Sequence, residues 1–322
     1  RLRFALKNSV SQSTAKNYSS ALSAFTRFCN KESIPVRLQF PSSEYILCAF
    51  AASGAGTLSA STVRNRLAAL RNYHITHGLP WNGSQMLQSV IAGVDRLLPP
   101  SSRRPLRLPV DAKMITKLVS SLNLHEPFDA AVAACASVAF WGQARLRELL
   151  QTSARSLQNP VIPLCRHLRK SHRNKKSWIL QLPQTKTKRH GDDMVLVRQD
   201  TLSDPHFLLR NHFHVSAGRN SHNLFVYASK FGPRNLTKAH FLERCNQIWT
   251  GLGYTRFTGH SFRIGGTTEL LLAGVPPDVV KAMGRWSSDS FLRYWRTLDG
   301  FAPSYTENLH TSKRTKKRVV GG

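Results

Sequence analysis

The sequence is poor in acidic residues, has no closely spaced cysteine pair and has no long apolar run. It contains 17 Asp and Glu against 46 Lys and Arg in 322 residues, for a formal net charge of +29. A charge excess of this size concerns partners rather than fold, and nucleic acid is the first candidate for a polyanionic partner. A basic surface that is merely solvated is the alternative, and it fits less well because acidic residues are scarce throughout.

Cysteine usage argues against a zinc site and against a disulfide framework. The five cysteines are widely scattered and include no C-x-x-C pair, the spacing that zinc sites favour. An odd number in a long chain is also unlike a disulfide-stabilised domain. We expect reduced, buried thiols and no metal. The cysteines are Cys29, Cys48, Cys135, Cys165 and Cys245.

No segment has the length and apolarity of a membrane span. The longest apolar-rich run covers residues 130–141, far short of the roughly 20 residues that cross a bilayer. This run is typical of a buried core helix. The N-terminal stretch RLRFALKNSV lacks the apolar core of a signal peptide. We therefore expect no membrane partner.

Residues 1–98 are predicted to form a helical domain. Apolar residues recur at helical spacing in two of its segments. Ser13 or Thr14 is expected to cap the first of these helices, and Ser61 or Thr62 the second. The length of the chain leaves room for a second domain.

Basic residues in this half of the chain are expected to contact phosphates. Arg64 and Arg71 are seven apart and so share one helix face, although a solubilising face explains that helix about equally well. The next segment, residues 99–110, is rich in Pro, Ser and Arg and is predicted to be a linker. Its Arg103 and Arg104 are placed to lie along a nucleic-acid backbone.

Residues 111–311 are predicted to form a mostly helical second domain that contains a β-hairpin. Residues 177–183 and 193–197 have the character of strands, with a polar turn between them. The preceding segment, 165–176, contains six Lys and Arg and no acidic residue. It is interpreted as a nucleic-acid-facing loop or an extended hairpin arm, with a solvated loop as the lesser alternative. The predicted contacts in this region are Lys170, Lys175 and Lys188.

The last segment, residues 312–322, holds five basic residues within seven. It is predicted to be disordered. A nuclear import signal and a nonspecific nucleic-acid contact are both compatible with this composition.

The second domain also carries the groups that a phosphodiester-cleaving enzyme requires. A side-chain nucleophile, an acid and a base must surround the phosphorus, and donors must hold the non-bridging oxygens. Arginine suits the last task because its planar fork stays charged and binds two oxygens, so no metal is needed. The candidate residues are Arg145, Glu148, Lys186, His260, Arg263, Trp286 and Tyr294.

These residues stand in four motifs whose order resembles that of the tyrosine recombinases of the phage-integrase family. The motifs are ARLREL at 144–149, TKT at 185–187, HSFR at 260–263, and GRW at 284–286 followed by Tyr294. The chain resembles the branch that includes Cre. It is most similar to the recombinases of eukaryotic mobile elements, such as cryptons and tyrosine-recombinase retrotransposons.

The resemblance implies a role for each residue that would act on the scissile phosphate. Tyr294 would be the nucleophile and form a 3′-phosphotyrosine, and Arg145 and Arg263 would clamp the phosphate. Lys186 would protonate the departing 5′ oxygen, with Lys188 as the alternative acid. A free tyrosine has a pKa near 10, so the nucleophile needs a base and a neutralised phosphate.

Three further residues would support this chemistry. His260 would act as the base or as a phosphate donor, and Trp286 would donate its indole N–H to the phosphate. Glu148 would orient Arg145 or His260. Taken singly, each candidate also has a structural interpretation, such as core packing or a helix ion pair, and their joint occurrence in family order favours the functional one.

Two departures from the family pattern bear on the site. The first motif has Gln143-Ala144 where the family usually has glycine and leucine. Trp286 and Tyr294 are eight residues apart, one fewer than the commonest spacing in the family. Tyr305 is a rival nucleophile, which we rank low because it lies beyond the motif.

The implied architecture is mainly α. It consists of a helical core-binding domain at 1–98, the linker at 99–110, a mostly helical catalytic domain with a small β-sheet or hairpin at 111–311, and the basic tail, which together form a C-shaped DNA clamp. The implied partner is double-stranded DNA, bound by a homo-tetramer on two sites, with a dimer on each site. No cofactor, ATP or small-molecule substrate is expected, and the expected location is the nucleus.

Two other functions remain open from the sequence. A type IB topoisomerase uses similar residues but relaxes supercoils as a monomer. A domesticated DNA-binding protein would retain the fold and no longer cut DNA.

Overall fold

The structure, a computed structural model, describes residues 1–99, 106–185, 188, 190–216 and 221–294; the side chains of residues 3, 7, 293 and 294 lie outside this description. The chain divides into two compact units, Arg1–Leu106 and Arg107–Gly322. The point of division falls within the predicted linker.

In its described part, unit 1 consists of helices joined by turns and loops, with no strand. Its long helices are amphipathic and bury one face each, as expected for helices that share a core. The helices are α1 (Leu2–Lys7), α2 (Gln12–Lys31), α3 (Val36–Gln39), α4 (Glu44–Ala52), α5 (Ala60–Thr76) and α6 (Gln85–Arg96).

The N-caps of α2 and α5 differ from the sequence prediction. Ser11 caps α2 and Ser59 caps α5, each through a hydroxyl that accepts a backbone N–H three residues on. The predicted Thr14 and Thr62 instead contribute that backbone N–H. The prediction was wrong because several neighbouring hydroxyls can cap each helix, and the chain uses the first one.

The core of unit 1 is built around aromatic side chains. Phe25 of α2 is fully buried and packs edge-on against Phe40 and Phe50. His74 of α5 is also buried. Its ring accepts a hydrogen bond from the backbone N–H of Ser42 and bonds to the carbonyl of Leu70, so it ties α5 to the segment before α4.

Unit 2 combines helices with a small antiparallel sheet. Strands β1 (Leu168–Lys170), β2 (Ser177–Leu182) and β3 (Asp192–Val197) form a sheet in that order. A second hairpin joins β4 (Val226–Tyr227) to β5 (Arg234–Asn235). The helices are α7 (Ala112–Ser121), α8 (Pro127–Trp141), α9 (Leu146–Leu149), α10 (Pro205–Ser216), α11 (Lys238–Gly251), α12 (Gly259–Leu272) and α13 (Pro277–Met283), with 3₁₀ helices at Cys165–His167 and Asp289–Tyr294.

Helix α8 is the centre of unit 2. It is buried over almost its whole length and is packed by α7, α10 and α12. Two glycines of α12 allow this helix to approach α8 and the chain before α7 closely. A β-carbon on Gly266 would lie 1.9 Å from the carbonyl oxygen of Phe140, and one on Gly265 would lie 1.7 Å from that of Val110. No side chain fits at either position.

The predicted fold class is confirmed: both units are mainly helical, and unit 2 contains a small sheet. The hairpin predicted at 177–183 and 193–197 is present as β2 and β3, which pair in antiparallel register from Ser177 opposite Val197 to Leu182 opposite Asp192. The basic segment 165–176 is a hairpin arm rather than a loop, since β1 pairs with β2. The clamp-like arrangement of the two units stays a prediction.

Candidate phosphate-binding site

The site is built on the turn that follows α8. Arg145 is the N-cap residue of α9, and Glu148 occupies the third helical position. Glu148 Oε2 accepts the backbone N–H of Arg145 at 3.0 Å, as a glutamate at this position of a capping box does. Its Oε1 accepts Nη1 of Arg145 at 2.7 Å. Glu148 is buried, while the Arg145 side chain is 23% exposed.

Arg263 of α12 lies beneath the surface and holds two backbone segments together. It is 0% exposed. Its Nη2 donates to the carbonyl of Gly284 at 2.6 Å, and its Nη1 donates to the carbonyl of Gln143. The indole of Trp286 covers the guanidinium, with 3.9 Å from Cζ to the ring centroid. These contacts of Arg263 are with the walls of the site.

Arg285 is a third arginine of the site, and sequence reasoning missed it. Its side chain is 4% exposed. Nη1 donates to the carbonyls of Gly142 and Met283, at 3.2 and 3.0 Å. Nη2 lies 3.4 Å from Glu148 Oε2 and 3.4 Å from the carbonyl of Gln143. One signal was available in the sequence: this residue precedes Tyr294 by nine positions, the spacing that Trp286 does not match.

Gln143 occupies a conformation that glycine adopts more readily. Its φ is 47°, in the left-handed region where a non-glycine residue costs about 1 kcal/mol or more. Gln143 Oε1 accepts the hydroxyl of Thr267 at 2.9 Å, which offsets part of this cost, while Nε2 of the same amide is buried and has no hydrogen-bond partner among the described residues. The departure from the family glycine is thus accommodated locally. Gln143 and Thr267 were not predicted as members of the site.

The first turn of α12 lies beside α9, the helix that Arg145 caps. A β-carbon on Gly259 would lie 2.7 Å from Cδ1 of Leu146. Gly259, which precedes His260, therefore lies against Leu146, which follows Arg145. His260 is half-buried and stands at the N-terminus of a 14-residue helix, where the helix dipole favours an anion.

The charges of the site, counted over its described residues, do not cancel. Four cationic side chains, Arg145, Arg263, Arg285 and Lys188, stand against two carboxylates, Glu148 and Asp192, which leaves a net charge of +2. Burial lowers the pKa of the Arg285 guanidinium, and the nearby Glu148 and Asp192 oppose that effect. An arginine stays protonated nonetheless. A net positive charge in a largely buried site favours a bound anion.

The remaining predicted catalytic residues are located only in part. The backbone of Tyr294 ends the 3₁₀ helix Asp289–Tyr294. This helix is fixed to α12 by Phe291, which packs with Ile264 and Trp286. The Tyr294 side chain and Lys186 lie outside the described residues, as does Tyr305. Lys188, the alternative acid, forms an ion pair with Asp192 at 2.8 Å.

The predicted DNA-binding residues that are described lie at the surface. Arg64 and Arg71 are exposed and line one groove of about 250 Å³ between α5 and α6. Lys170 on β1 and Lys175 in the following turn are also exposed. Arg103, Arg104 and the tail 312–322 lie outside the described residues.

The thiols and possible metal ligands show no competing centre in the described part of the chain. All five cysteines are free. Among the described residues, no three His, Cys, Asp or Glu side chains group as metal ligands would. Within the same residues, no helix has the length and apolarity of a membrane span.

Comparisons with known proteins concern the fold and the N-terminal segment of the chain. Residues 3–76 match the family model "Phage integrase, N-terminal SAM-like domain". The fold is similar to that of the XerH site-specific recombinase bound to a palindromic difH substrate in a post-cleavage complex, with a TM-score of 0.57 and 13% identity over 94% of this chain and 79% of that one.

Two further structures show the same fold. One is the Tn1549 transposon integrase in complex with transposon right end DNA, with a TM-score of 0.56 and 12% identity over 94% of this chain and 95% of that one. The other is a lambda integrase dimer bound to a COC′ core site, with a TM-score of 0.56 and 13% identity over 92% of each chain. No curated protein matches the sequence. The chain has the fold of these recombinases and integrases, and its residues 3–76 match the model of the phage-integrase N-terminal domain.

Proposed function

We propose that this protein is a DNA strand transferase of the tyrosine recombinase type, which cuts and rejoins DNA through a covalent 3′-phosphotyrosine at Tyr294. The observation that carries the proposal is that Arg145, Arg263 and Arg285 meet at the turn 142–145, where Arg145 and Arg285 also share the carboxylate of Glu148. The net positive charge of this cluster suits a phosphodiester, which brings one negative charge and two acceptor oxygens.

The reaction requires one bond to form as another breaks. Tyr294 Oη would attack phosphorus and lose its proton to a base, for which His260 is the candidate. The bond from phosphorus to the 5′ oxygen would break, and Lys186 or Lys188 would protonate that oxygen. The phosphotyrosine ester keeps the bond energy, so rejoining by a 5′ hydroxyl needs no ATP.

Arg145 and Arg263 would stabilise the phosphate as charge develops on its oxygens. Arg145 is the partly exposed arginine of the site, so it is the one that a docking phosphate reaches first. Arg263 and Trp286 stack on each other, and Arg263 holds the carbonyls of Gln143 and Gly284 in place. Donors fixed in this way need little reorganisation during the reaction, which is the main source of electrostatic catalysis.

The partner follows from charge and from the fold. Double-stranded DNA would be bound by both units, with the exposed Arg64, Arg71, Lys170 and Lys175 contacting phosphates. Assembly as a dimer on each of two sites, action within a mobile element of the crypton or retrotransposon type, and a nuclear location are further parts of the proposal that rest on the sequence resemblance.

A suicide substrate tests the proposal. A pool of nicked duplexes with random sequence around the nick would be incubated with the full chain and analysed on denaturing gels. We expect a covalent protein–DNA adduct with the wild type and none with Tyr294→Phe. The absence of any adduct with the wild type would favour the DNA-binding protein that no longer cuts.

A relaxation assay on supercoiled plasmid distinguishes a recombinase from the second alternative, a type IB topoisomerase. A recombinase requires its own site, so we expect no relaxation of a plasmid that carries no sequence enriched among the adducts. Relaxation of such a plasmid by a monomer would favour the type IB topoisomerase instead.

A further inference from the structure

Arg285 is the buried arginine of the site for which the proposed reaction has no assigned role. Its guanidinium spans the gap between the turn after α8 and the end of α13, through the carbonyls of Gly142 and Met283. Its φ of 55° lies in the left-handed region. A residue other than glycine keeps this conformation only when its surroundings fix it firmly.

Arg285 bears on the proposed reaction through its contact with Glu148. Oε2 of this carboxylate faces Nη2 of Arg285 at 3.4 Å and the backbone N–H of Arg145 at 3.0 Å, while Oε1 faces Nη1 of Arg145 at 2.7 Å. Glu148 is therefore held from one side by Arg285 and holds Arg145 on the other. The side chains of Arg285 and Glu148 are each 4% exposed, so water does not replace either side chain as the partner of the other.

We infer that Arg285 is a positioning residue for the proposed strand cleavage, and that it acts through Glu148 to fix the guanidinium of Arg145 against the scissile phosphate. This inference rests on the proposed function. The two terminal nitrogens of Arg285, Nη1 and Nη2, are directed at three carbonyls and one carboxylate of the protein, while its buried Nε has no hydrogen-bond partner among the described residues. The positioning role is carried by Nη1 and Nη2.

The fork geometry explains why arginine is needed here. Two nitrogens of one planar group reach acceptors on three separate segments, at Gly142 and Gln143, at Glu148, and at Met283. A lysine at this position would keep the charge but would present one nitrogen in place of the fork. We therefore expect Arg285→Lys to retain the fold and to lose part of the cleavage rate.

A double-mutant cycle tests the inference. Adduct formation on the nicked duplexes would be measured in single turnover at saturating protein for the wild type, Arg285→Gln, Glu148→Gln and the double variant. If Arg285 acts through Glu148, its loss slows cleavage at least about 10-fold in the wild-type background and less than about 3-fold once Glu148 is already Gln. Duplex affinity should change little in either background.

Arg244 supplies a matched control. It forms a similar arginine–carboxylate pair with Asp129, at 2.8 and 2.9 Å, away from the site. Arg244→Gln should lower stability and show the same effect on cleavage in both Glu148 backgrounds. If Arg285→Gln proves unfolded by circular dichroism, the same cycle would be run with Arg285→Lys.

The outcomes separate this inference from the proposed function. A wild type that forms no adduct overturns both. If the wild type forms the adduct but the rate decreases caused by Arg285→Gln and Glu148→Gln multiply independently, only the positioning role is overturned. Non-additive losses confined to Arg285, with Arg244 additive, support it.

Discussion

The arginines of this protein stand in two environments that impose different requirements. Arg263 and Arg285 are buried, and the donors described above for them are directed at backbone carbonyls and a carboxylate. Arg64 and Arg71 lie on the surface of α5 in water. Burying a charge is expensive unless it is paired, whereas a surface arginine costs little and can be gained or lost freely.

The difference between buried and surface arginines suits the two groups to different tasks, the buried ones to the reaction and the surface ones to DNA affinity. Buried arginines have fixed positions, so they are suited to stabilising charge at one point in a reaction. Surface arginines neutralise phosphates wherever the backbone passes, and salt screens them. In the proposed function, the net charge of +29 serves to bind DNA, and the small cluster around Glu148 serves to cleave it.

The sharpest test of this separation compares Arg145 with Arg64. Arg145→Ala should slow strand cleavage about 10²–10³-fold at saturating DNA, because it removes a fixed donor to the phosphate. Arg64→Ala should leave that rate nearly unchanged. It should weaken DNA binding a few-fold and make the slope of log affinity against log salt shallower by about 0.9. If Arg145→Ala and Arg64→Ala had equal effects on the cleavage rate at saturating DNA, the distinction between buried and surface arginines would be wrong.

The fixed geometry depends on close helix packing, which Gly266 provides. Gly266→Ala would force a β-carbon against the carbonyl of Phe140, so we expect a loss of about 3 kcal/mol or more in the free energy of unfolding. Gly251→Ala is the control in the same unit, because a β-carbon there would meet no neighbouring side chain or element within 4 Å; it should change stability by less than about 1 kcal/mol. Urea denaturation measures both, and a tolerated Gly266→Ala would mean that α12 can shift away from α8.

Buried groups without a counter-charge should behave differently from the buried arginines, and His212 is such a group. Burial lowers its pKa from 6.5 to about 4. The unfolded chain therefore binds a proton that the folded chain does not, and the contribution of His212 to stability is complete above pH 6.5 and falls by about 3 kcal/mol as pH drops towards 4.

The pH effect can be isolated by comparing two histidines on α10. Urea denaturation at pH 7.5 and 5 should show a smaller difference for His212→Gln than for the wild type. His214→Gln, exposed two residues along, should retain the wild-type difference. An unchanged difference in His212→Gln would assign the pH dependence to other groups.

The smallest expected effect concerns the backbone of the site. Gln143→Gly should relieve the left-handed strain of about 1 kcal/mol while losing the hydrogen bond with Thr267, worth about 1 kcal/mol. Its stability should therefore stay within about 1 kcal/mol of the wild type. Gln143→Ala keeps the strain and loses the bond, so it should be less stable than Gln143→Gly by about 1 kcal/mol. The reverse order would show that the strain is not real.

Much of the local structure could be predicted from the sequence. Apolar spacing indicates the helices α2 and α5 of unit 1, the uniformly apolar run 130–141 indicates the buried α8, and two strand-like segments around a polar turn indicate β2 and β3. These features depend on neighbours in the chain. The capping residues Ser11 and Ser59 were not identified, because several hydroxyls in a row satisfy the same local rule.

The role of Arg285 could not be predicted in the same way. Its partners Gly142, Gln143 and Glu148 are about 140 residues away in the sequence, and only tertiary packing brings them together. Its left-handed backbone is equally invisible in composition or periodicity. The sequence motifs predict the residues of the candidate site, while the contacts that join Arg145, Glu148 and Arg285 required the three-dimensional structure.

The identity of the residue that bears the DNA tests the central claim most directly. Adducts trapped on the random nicked duplexes would be digested with nuclease and protease, and the modified peptide would be sequenced by mass spectrometry. We expect a nucleotide attached through a 3′ phosphate to Tyr294, and no modified peptide from Tyr294→Phe. A nucleotide on Tyr305 or on any other residue, or a 5′-phosphate linkage, would contradict the claim.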